Sequence, residues 1–106
     1  MKTLVSTNEF LSEDVKLEKK LMKRESPDEY PSLLKWKIQM LYFDGAAWVQ
    51  ICRMDNYLHD GSVGSHVHTY GNDQVKWLEV SFQEAYDLVF AVGSRILREK
   101  FRRYIL

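Results

Sequence analysis

The feature that most constrains the fold is a run of alternating apolar and polar residues from Leu34 to Tyr42. Apolar side chains recur there at every second position, which is the period of a strand with one buried face. The pair Asp44-Gly45 follows, and both residues accept the positive φ angles of hairpin turns. We therefore expect an antiparallel hairpin, with strands near residues 33–43 and 47–54.

Alternation along the second of these strands assigns its side chains to two faces of a sheet. It puts Val49, Ile51 and Arg53 on one face, and it puts on the other Trp48, Gln50, Cys52 and Met54. Two further strands are predicted downstream, in HVHTY (66–70) and VKWLEV (75–80), with a turn at Gly71-Asn72-Asp73 between them.

The last 26 residues carry the signals of one long helix. Ser81 and Glu84 have the S-x-x-E spacing of a capping box, in which each side chain bonds the other residue's backbone N–H. An apolar stripe at three- and four-residue spacing follows, typical of a helix that packs on a sheet; it consists of Ala85, Leu88, Val89, Val92 and Ile96. We expect the helix to begin near Ser81 and to reach at least Leu97.

The first 32 residues form a polar lead-in, ending in a segment with Pro27 and Pro31 that cannot be regular helix. Within it, residues 12–25 fit a capped helix or an additional strand equally well. The predicted fold class is α+β: an antiparallel sheet of four or five strands with a long C-terminal helix packed on one face. The lead-in (1–32) would precede a single α+β domain (33–106).

Composition excludes several classes of protein. Fifteen basic and fifteen acidic residues cancel, so no overall charge attracts the chain to nucleic acid or to a membrane. No apolar run approaches the roughly 20 residues that span a bilayer, and the opening segment lacks the apolar stretch of a signal peptide. The single cysteine, Cys52, excludes a disulfide framework and favours the cytoplasm. It is more typical of an inert packed residue than of a nucleophile.

Reactive side chains concentrate between Arg53 and His68, and all three histidines fall within residues 59–68. Strand alternation puts His66 and His68 on the same face. Arg53 and Asp55 also share a face if their strand continues to Asp55. Neighbouring strands could therefore bring a guanidinium, a carboxylate and two imidazoles into one patch.

Three interpretations of this patch compete. In the first, one imidazole takes a proton from an RNA 2′-hydroxyl, a second protonates the leaving oxygen, and Arg53 stabilises the charge on phosphorus. That chemistry needs no cofactor and no metal. Its candidate catalytic residues are Arg53, Asp55, His66 and His68, with Asn56 and His59 as substrate-binding or turn-shaping residues.

The other two interpretations use the same residues differently. A metal site would take His66 and His68 as ligands, with His59 or Asp55 as a third. A purely structural role would pair Arg53 with Asp55 at the strand end and leave the histidines on a solvated strand.

The runs KWKIQMLYFDGAAWVQICRMDN and HVHTYGNDQV resemble the TumE-like toxins of prokaryotic toxin–antitoxin systems and related small domains of unknown function. The pattern is an aromatic-rich strand, a D-G turn, a strand closing on R-x-D-N, an H-x-H, a glycine turn and a C-terminal helix. It covers roughly residues 33–97, and its motif residues here are Arg53, Asp55, Asn56, His66 and His68.

The resemblance implies a small toxin held inactive by a partner antitoxin protein. The residue types add RNA as the expected substrate, and no membrane partner is expected. Two other functions remain open, a non-enzymatic protein-interaction module and a metal-dependent hydrolase.

Overall fold

A computed structural model describes residues 1–105, so that Leu106, the end of the predicted domain, lies outside the described residues. The chain forms one six-stranded antiparallel sheet and one helix in the α+β class. The elements are β1 (Lys2–Ser12), β2 (Val15–Lys23), β3 (Leu34–Phe43), β4 (Trp48–Asp55), β5 (His66–Thr69), β6 (Lys76–Trp77) and α1 (Phe82–Phe101). Strands pair in chain order. The predicted fold class is confirmed, with six strands rather than four or five.

The first 32 residues contribute two of these strands. β2 pairs with β3 along its whole length, from Val15 opposite Tyr42 to Lys23 opposite Leu34, and β1 forms the outer edge. Residues 15–23 are therefore strand rather than helix. Val15 and Leu17 are buried while Lys16 between them is not, which is a period of two.

The predicted hairpin is β3 and β4, joined by residues 44–47. The Asp44 carboxylate accepts hydrogen bonds from the backbone N–H groups of Ala46 and Ala47, at 2.8 and 2.9 Å. Gly45 has φ +101°, which only glycine adopts readily. The connection is thus a four-residue turn organised by the Asp44 side chain.

A β-bulge in β4 changes the predicted assignment of its faces. Met40 lies opposite Cys52 but Leu41 lies opposite Gln50, so Ile51 is an extra residue without a partner in β3. Alternation is interrupted there, and Cys52 packs on the helix side with Ile51, Met54 and Val49. Gln50 and Arg53, three positions apart, share the opposite face and line the same cavity. The expectation that Arg53 faces the same way as Val49 was wrong for this reason.

The helix α1 crosses β3 and β4 and covers one face of the sheet. Ser81 is its N-cap, and both hydrogen bonds of the predicted capping box form. The buried positions of α1 are Ala85, Val89, Gly93, Ile96 and Leu97, whereas Leu88 and Val92 are half-buried beside them. Among residues 1–105, no helix combines the length and the apolar character needed to cross a membrane.

The last strand is shorter than predicted, two residues instead of six. After Trp77 the chain continues beside Ser65, the residue before β5, and leads into α1. Its backbone is held there by Ser65, whose carbonyl accepts from Leu78 N at 3.0 Å and whose hydroxyl accepts from Val80 N at 3.1 Å.

Candidate functional site

The candidate site lies on the sheet face opposite the helix, where β4 and β5 pair. The register puts Arg53 opposite His68 and Asp55 opposite His66, so the four residues form two adjacent cross-strand pairs. Met54 and Val67, which alternate with them, pack toward the helix side. The four side chains line one cavity of about 270 Å³ together with Gln50, Tyr57, Leu58 and His59.

Asp55 is the centre of this arrangement, with only 1 % of its surface exposed. Its Oδ2 accepts a hydrogen bond from Arg53 Nε at 2.6 Å, and its Oδ1 accepts one from the backbone N–H of Tyr57 at 2.8 Å. His66 Nε2 lies 3.3 Å from Oδ1. A carboxylate this deeply buried needs such partners, because an unpaired buried charge is strongly destabilising.

His66 is also buried, at 2 % exposure, and its ring orientation is fixed on both sides. Nδ1 lies 3.0 Å from the Gly64 carbonyl oxygen, which can only accept, so Nδ1 carries a proton and Nε2 points to Asp55. The Trp77 ring covers the imidazole, with the two ring centres 4.8 Å apart. Access of a large substrate to His66 is therefore more restricted than access to His59 and His68.

His59 joins the other two histidines although it lies in the loop between β4 and β5. Asp60 and Gly61 have φ angles of +50° and +80°, and His59 and Ser62 exchange backbone hydrogen bonds of 2.9 and 3.0 Å around them. This tight turn folds the His59 ring over the sheet. Its ring centre lies 5.1 Å from that of His66 and 5.4 Å from that of His68.

Among the predicted site residues, Arg53, His59 and His68 keep partly accessible side chains. Arg53 and His59 have 26 % and 32 % of their side chains exposed. His68 is half-buried, and its pKa is lowered from the usual value by burial first and by the neighbouring His66 second. The Arg53 guanidinium lies 5.3 Å from the centre of the Tyr57 ring, so its plane is supported from one side.

Asn56 shapes the turn beside the site. Its Oδ1 accepts from Trp36 N and its Nδ2 donates to Leu34 O, both at 2.8 Å. Its backbone carbonyl accepts a hydrogen bond from the Tyr30 hydroxyl. These contacts fasten the end of β4 to the start of β3, which fixes where Asp55 and the following loop lie.

Sequence reasoning did not identify Gln50, Tyr57 and Trp77 as part of this site. Gln50 enters the cavity only because of the bulge at Ile51, and Trp77 covers His66 because the two residues are partners across β5 and β6. The pair Asp60-Gly61 was a usable signal for the position of His59, since D-G favours a two-residue turn.

A second, larger cavity of about 520 Å³ adjoins the first, and Trp77 belongs to its wall. Trp36, Asn56 and Gly64 also line it. Trp77 is 46 % exposed and contacts His66, so it borders the region between the two cavities.

Comparison with known proteins identifies no relative of this chain: no family model, no curated protein sequence and no solved structure matches it.

Proposed function

We propose that this chain is a toxin-like ribonuclease that cleaves RNA by acid/base chemistry without a metal. The observation that supports this most directly is the arrangement around Asp55. One buried carboxylate holds Arg53 and contacts His66, beside two accessible imidazoles in the same cavity.

The proposed reaction uses the RNA's own 2′-hydroxyl as the nucleophile. One imidazole of the pair His59 and His68 takes the proton of that hydroxyl as its oxygen forms a bond to phosphorus. The other donates a proton to the 5′-oxygen as the bond between phosphorus and that oxygen breaks. The products are a 2′,3′-cyclic phosphate and a 5′-hydroxyl. Arg53 stabilises the charge that develops on the phosphoryl oxygens.

Asp55 and His66 act in this proposal as positioning residues. Both are almost fully buried, so neither contacts the substrate in this mechanism. Asp55 fixes the Arg53 guanidinium, and His66 supports the ring of His68, whose centre is 4.9 Å away. This division departs from the expectation that all four predicted residues take part directly.

The adjoining cavity suits a nucleobase next to the scissile phosphate. Its exposed Trp77 ring offers a stacking surface for an unpaired base, and such stacking contributes about 1–3 kcal/mol per base. Single-stranded RNA is therefore the proposed substrate.

The toxin part of the proposal is supported by the resemblance of residues 33–97 to TumE-like toxins. In that role the chain acts in the cytoplasm of a prokaryote, and an antitoxin protein blocks the cavity until it is removed.

The experiment is a cleavage assay with short single-stranded oligoribonucleotides in the presence of a chelator. We expect 2′,3′-cyclic phosphate products, and no cleavage where the attacking 2′-hydroxyl is replaced by hydrogen. His59→Ala and His68→Ala should each lower the rate by about 10²–10⁴-fold. Asp73→Asn is the control, because Asp73 is an exposed aspartate in the loop between β5 and β6 and does not line this cavity. Full activity in both histidine variants, or cleavage of the 2′-deoxy substrate, would contradict the proposal.

A second candidate function, a protein-interaction module, is favoured by an aromatic cluster away from the site. Trp48 packs edge to face with Phe10 and lies tilted against Phe43, and Phe10, Phe43 and Trp48 remain 60 %, 38 % and 37 % exposed. Copurification of a partner that is lost in Phe10→Ser, together with absence of RNA cleavage, would favour this function. The third, a metal-dependent hydrolase, predicts that a chelator abolishes activity.

A further inference from the structure

We propose that His59, His66 and His68 form a binding site for a divalent transition metal ion of the Zn²⁺ class. One ring nitrogen from each of these histidines lies within 4.8 Å of the other two. The three rings come from a turn and from two alternate positions of β5, so the backbone brings them together from both sides of one small volume.

The distances are compatible with a bound ion after a small contraction. Zn–N bonds of about 2.0–2.1 Å at a tetrahedral ion put ligand nitrogens about 3.3 Å apart. The separation of up to 4.8 Å must therefore shrink by about 1.5 Å. His59 can supply part of this movement, because its turn contains Gly61 and lies between β4 and β5 rather than within a strand.

The surroundings of His66 resemble the outer hydrogen bonds of known metal sites. Metal-binding histidines use one ring nitrogen for the ion and donate the other N–H to a carbonyl or carboxylate. Here Nδ1 faces the Gly64 carbonyl at 3.0 Å, so Nε2 is the nitrogen that would bind an ion, in place of its direct contact with Asp55. The Asp55 carboxylate is 3.3 Å from Nε2 and adds negative charge next to the cation.

The donor set selects the class of metal. Imidazole nitrogen suits zinc and its neighbours in the first transition row, whereas magnesium and calcium prefer oxygen ligands. Cys52, the only thiol, is fully buried on the helix side and cannot contribute. The three histidines line one cavity with Gln50 and Leu58, and a water molecule would complete a tetrahedral set of four ligands.

Metal binding would regulate the proposed ribonuclease, and this part of the inference rests on the proposed function. The ion occupies the nitrogen lone pairs of His59 and His68 that proton transfer requires. Zn²⁺ should therefore inhibit RNA cleavage over the same range of concentrations in which it binds.

The test is a titration of the chelator-stripped full chain with Zn²⁺ by calorimetry, and with Co²⁺ by its visible absorption as a reporter of tetrahedral geometry. We expect one ion per chain. His59→Gln and His68→Gln should each weaken binding by roughly 100-fold or more, since loss of an outer hydrogen-bond partner alone costs about 10–100-fold. Asp73→Asn, an exposed change outside the cavity, should bind as the parent does, and Mg²⁺ should not compete. Circular dichroism of each variant checks that it is folded.

The outcomes test the metal site and the ribonuclease activity separately. Absence of saturable binding, or equal Zn²⁺ affinity in the folded histidine variants, overturns the metal site even if RNA is cleaved. Binding that depends on the histidines supports the metal site even if the zinc-free chain leaves RNA intact, a result that contradicts the ribonuclease alone. Zn²⁺ that binds there but does not slow cleavage overturns the regulatory part.

Discussion

Gly93 of α1 lies directly against Met40 of β3, and a Cβ atom at position 93 would come within 2.5 Å of the Met40 sulfur. Met40 is fully buried, so its side chain has little room to move. Gly93→Ala gains about 1 kcal/mol in helix propensity. It also forces overpacking that typically costs 1–3 kcal/mol. We expect a net loss of about 1 kcal/mol in the free energy of unfolding, measured by urea denaturation.

The adjacent position provides the control for Gly93→Ala. The Ser94 hydroxyl is buried and has no hydrogen-bond partner among residues 1–105. Ser94→Ala should leave stability unchanged or raise it, because it removes an unsatisfied polar group. In a Met40→Ala background Gly93→Ala should lose its cost. If Gly93→Ala lowered stability equally in the parent and in Met40→Ala, the close contact with Met40 would not be the cause of the loss.

The N-cap gives a second stability prediction. Ser81 Oγ accepts from Glu84 N at 3.2 Å, and Glu84 Oε1 accepts from Ser81 N at 3.0 Å. Ser81→Ala should cost about 1 kcal/mol, and Ser81→Asp should retain most of the stability, since aspartate also caps helices. A thermal midpoint unchanged in Ser81→Ala would mean that the cap contributes nothing measurable.

The parts of the fold that could be predicted are those with local signals. The hairpin follows from alternation and Asp44-Gly45, and α1 follows from its capping box and apolar stripe. β2 could not be distinguished from a helix, because its pairing with β3 is a non-local contact and the capping residues near Ser12 favour a helix locally. The bulge at Ile51 in β4 could not be predicted either, because it depends on the register with Met40 and Leu41.

The candidate site also has features with local sequence signals and features that non-local contacts determine. The convergence of Arg53, Asp55 and the H-x-H pair was expected from alternation, since opposite positions in paired strands lie side by side. Burial could not be read from the sequence, because it comes from the loop after Asn56 and from Trp77, which cover Asp55 and His66. For that reason Asp55 and His66 are proposed to position Arg53 and His68 rather than to contact the substrate.

Stability should depend on pH through Asp14 and Arg103. Arg103 Nη2 lies 2.8 Å from Asp14 Oδ1 and Arg103 Nε lies 3.0 Å from Oδ2, and these hydrogen bonds lower the pKa of Asp14 from 3.8 to about 2. A carboxyl group whose pKa is lower in the folded chain than in the unfolded chain stabilises the fold at pH values above its unfolded pKa. This stabilisation is lost as the pH falls through the folded pKa. The contribution should therefore disappear between about pH 4 and pH 2.

The measurement compares the parent with Asp14→Asn by urea unfolding at several pH values. The parent should be more stable at pH 6, and the difference should narrow below pH 4. Both side chains are about one-third exposed, so the difference is small and added salt should reduce it. Other carboxyls with lowered pKa values, such as Glu84, are common to both proteins and cancel. A difference that stays constant down to pH 2 would exclude this ion pair as its source.

Cys52 should be unreactive in the folded chain. Burial raises the pKa of its thiol to about 12, and the side chain has no exposed surface. Because the thiolate is the reactive form, a disulfide reagent should label Cys52 only when the chain unfolds. The labelling rate should follow the unfolding rate as urea is added, with one thiol per chain labelled in full denaturant. Rapid labelling of a chain that keeps its circular dichroism spectrum would contradict this burial.

The buried carboxylate gives the sharpest prediction about the site. Asp55→Asn keeps the size of the side chain but removes the charge that pairs with Arg53 and lies 3.3 Å from His66 Nε2. Removing one partner of a buried ion pair typically costs about 3–5 kcal/mol. We expect a loss of that order in urea unfolding, while Asp60→Asn, whose side chain is 91 % exposed, should change stability by less than about 0.5 kcal/mol. Because Asp55→Asn could prevent folding altogether, Arg53→Lys provides a milder test, since it keeps a cation beside the buried Asp55 carboxylate but loses the planar guanidinium. Arg53→Lys should stay folded and should lower the rate of RNA cleavage if the guanidinium binds the phosphate. An Asp55→Asn chain as stable as the parent would show that the three side chains do not form a coupled network.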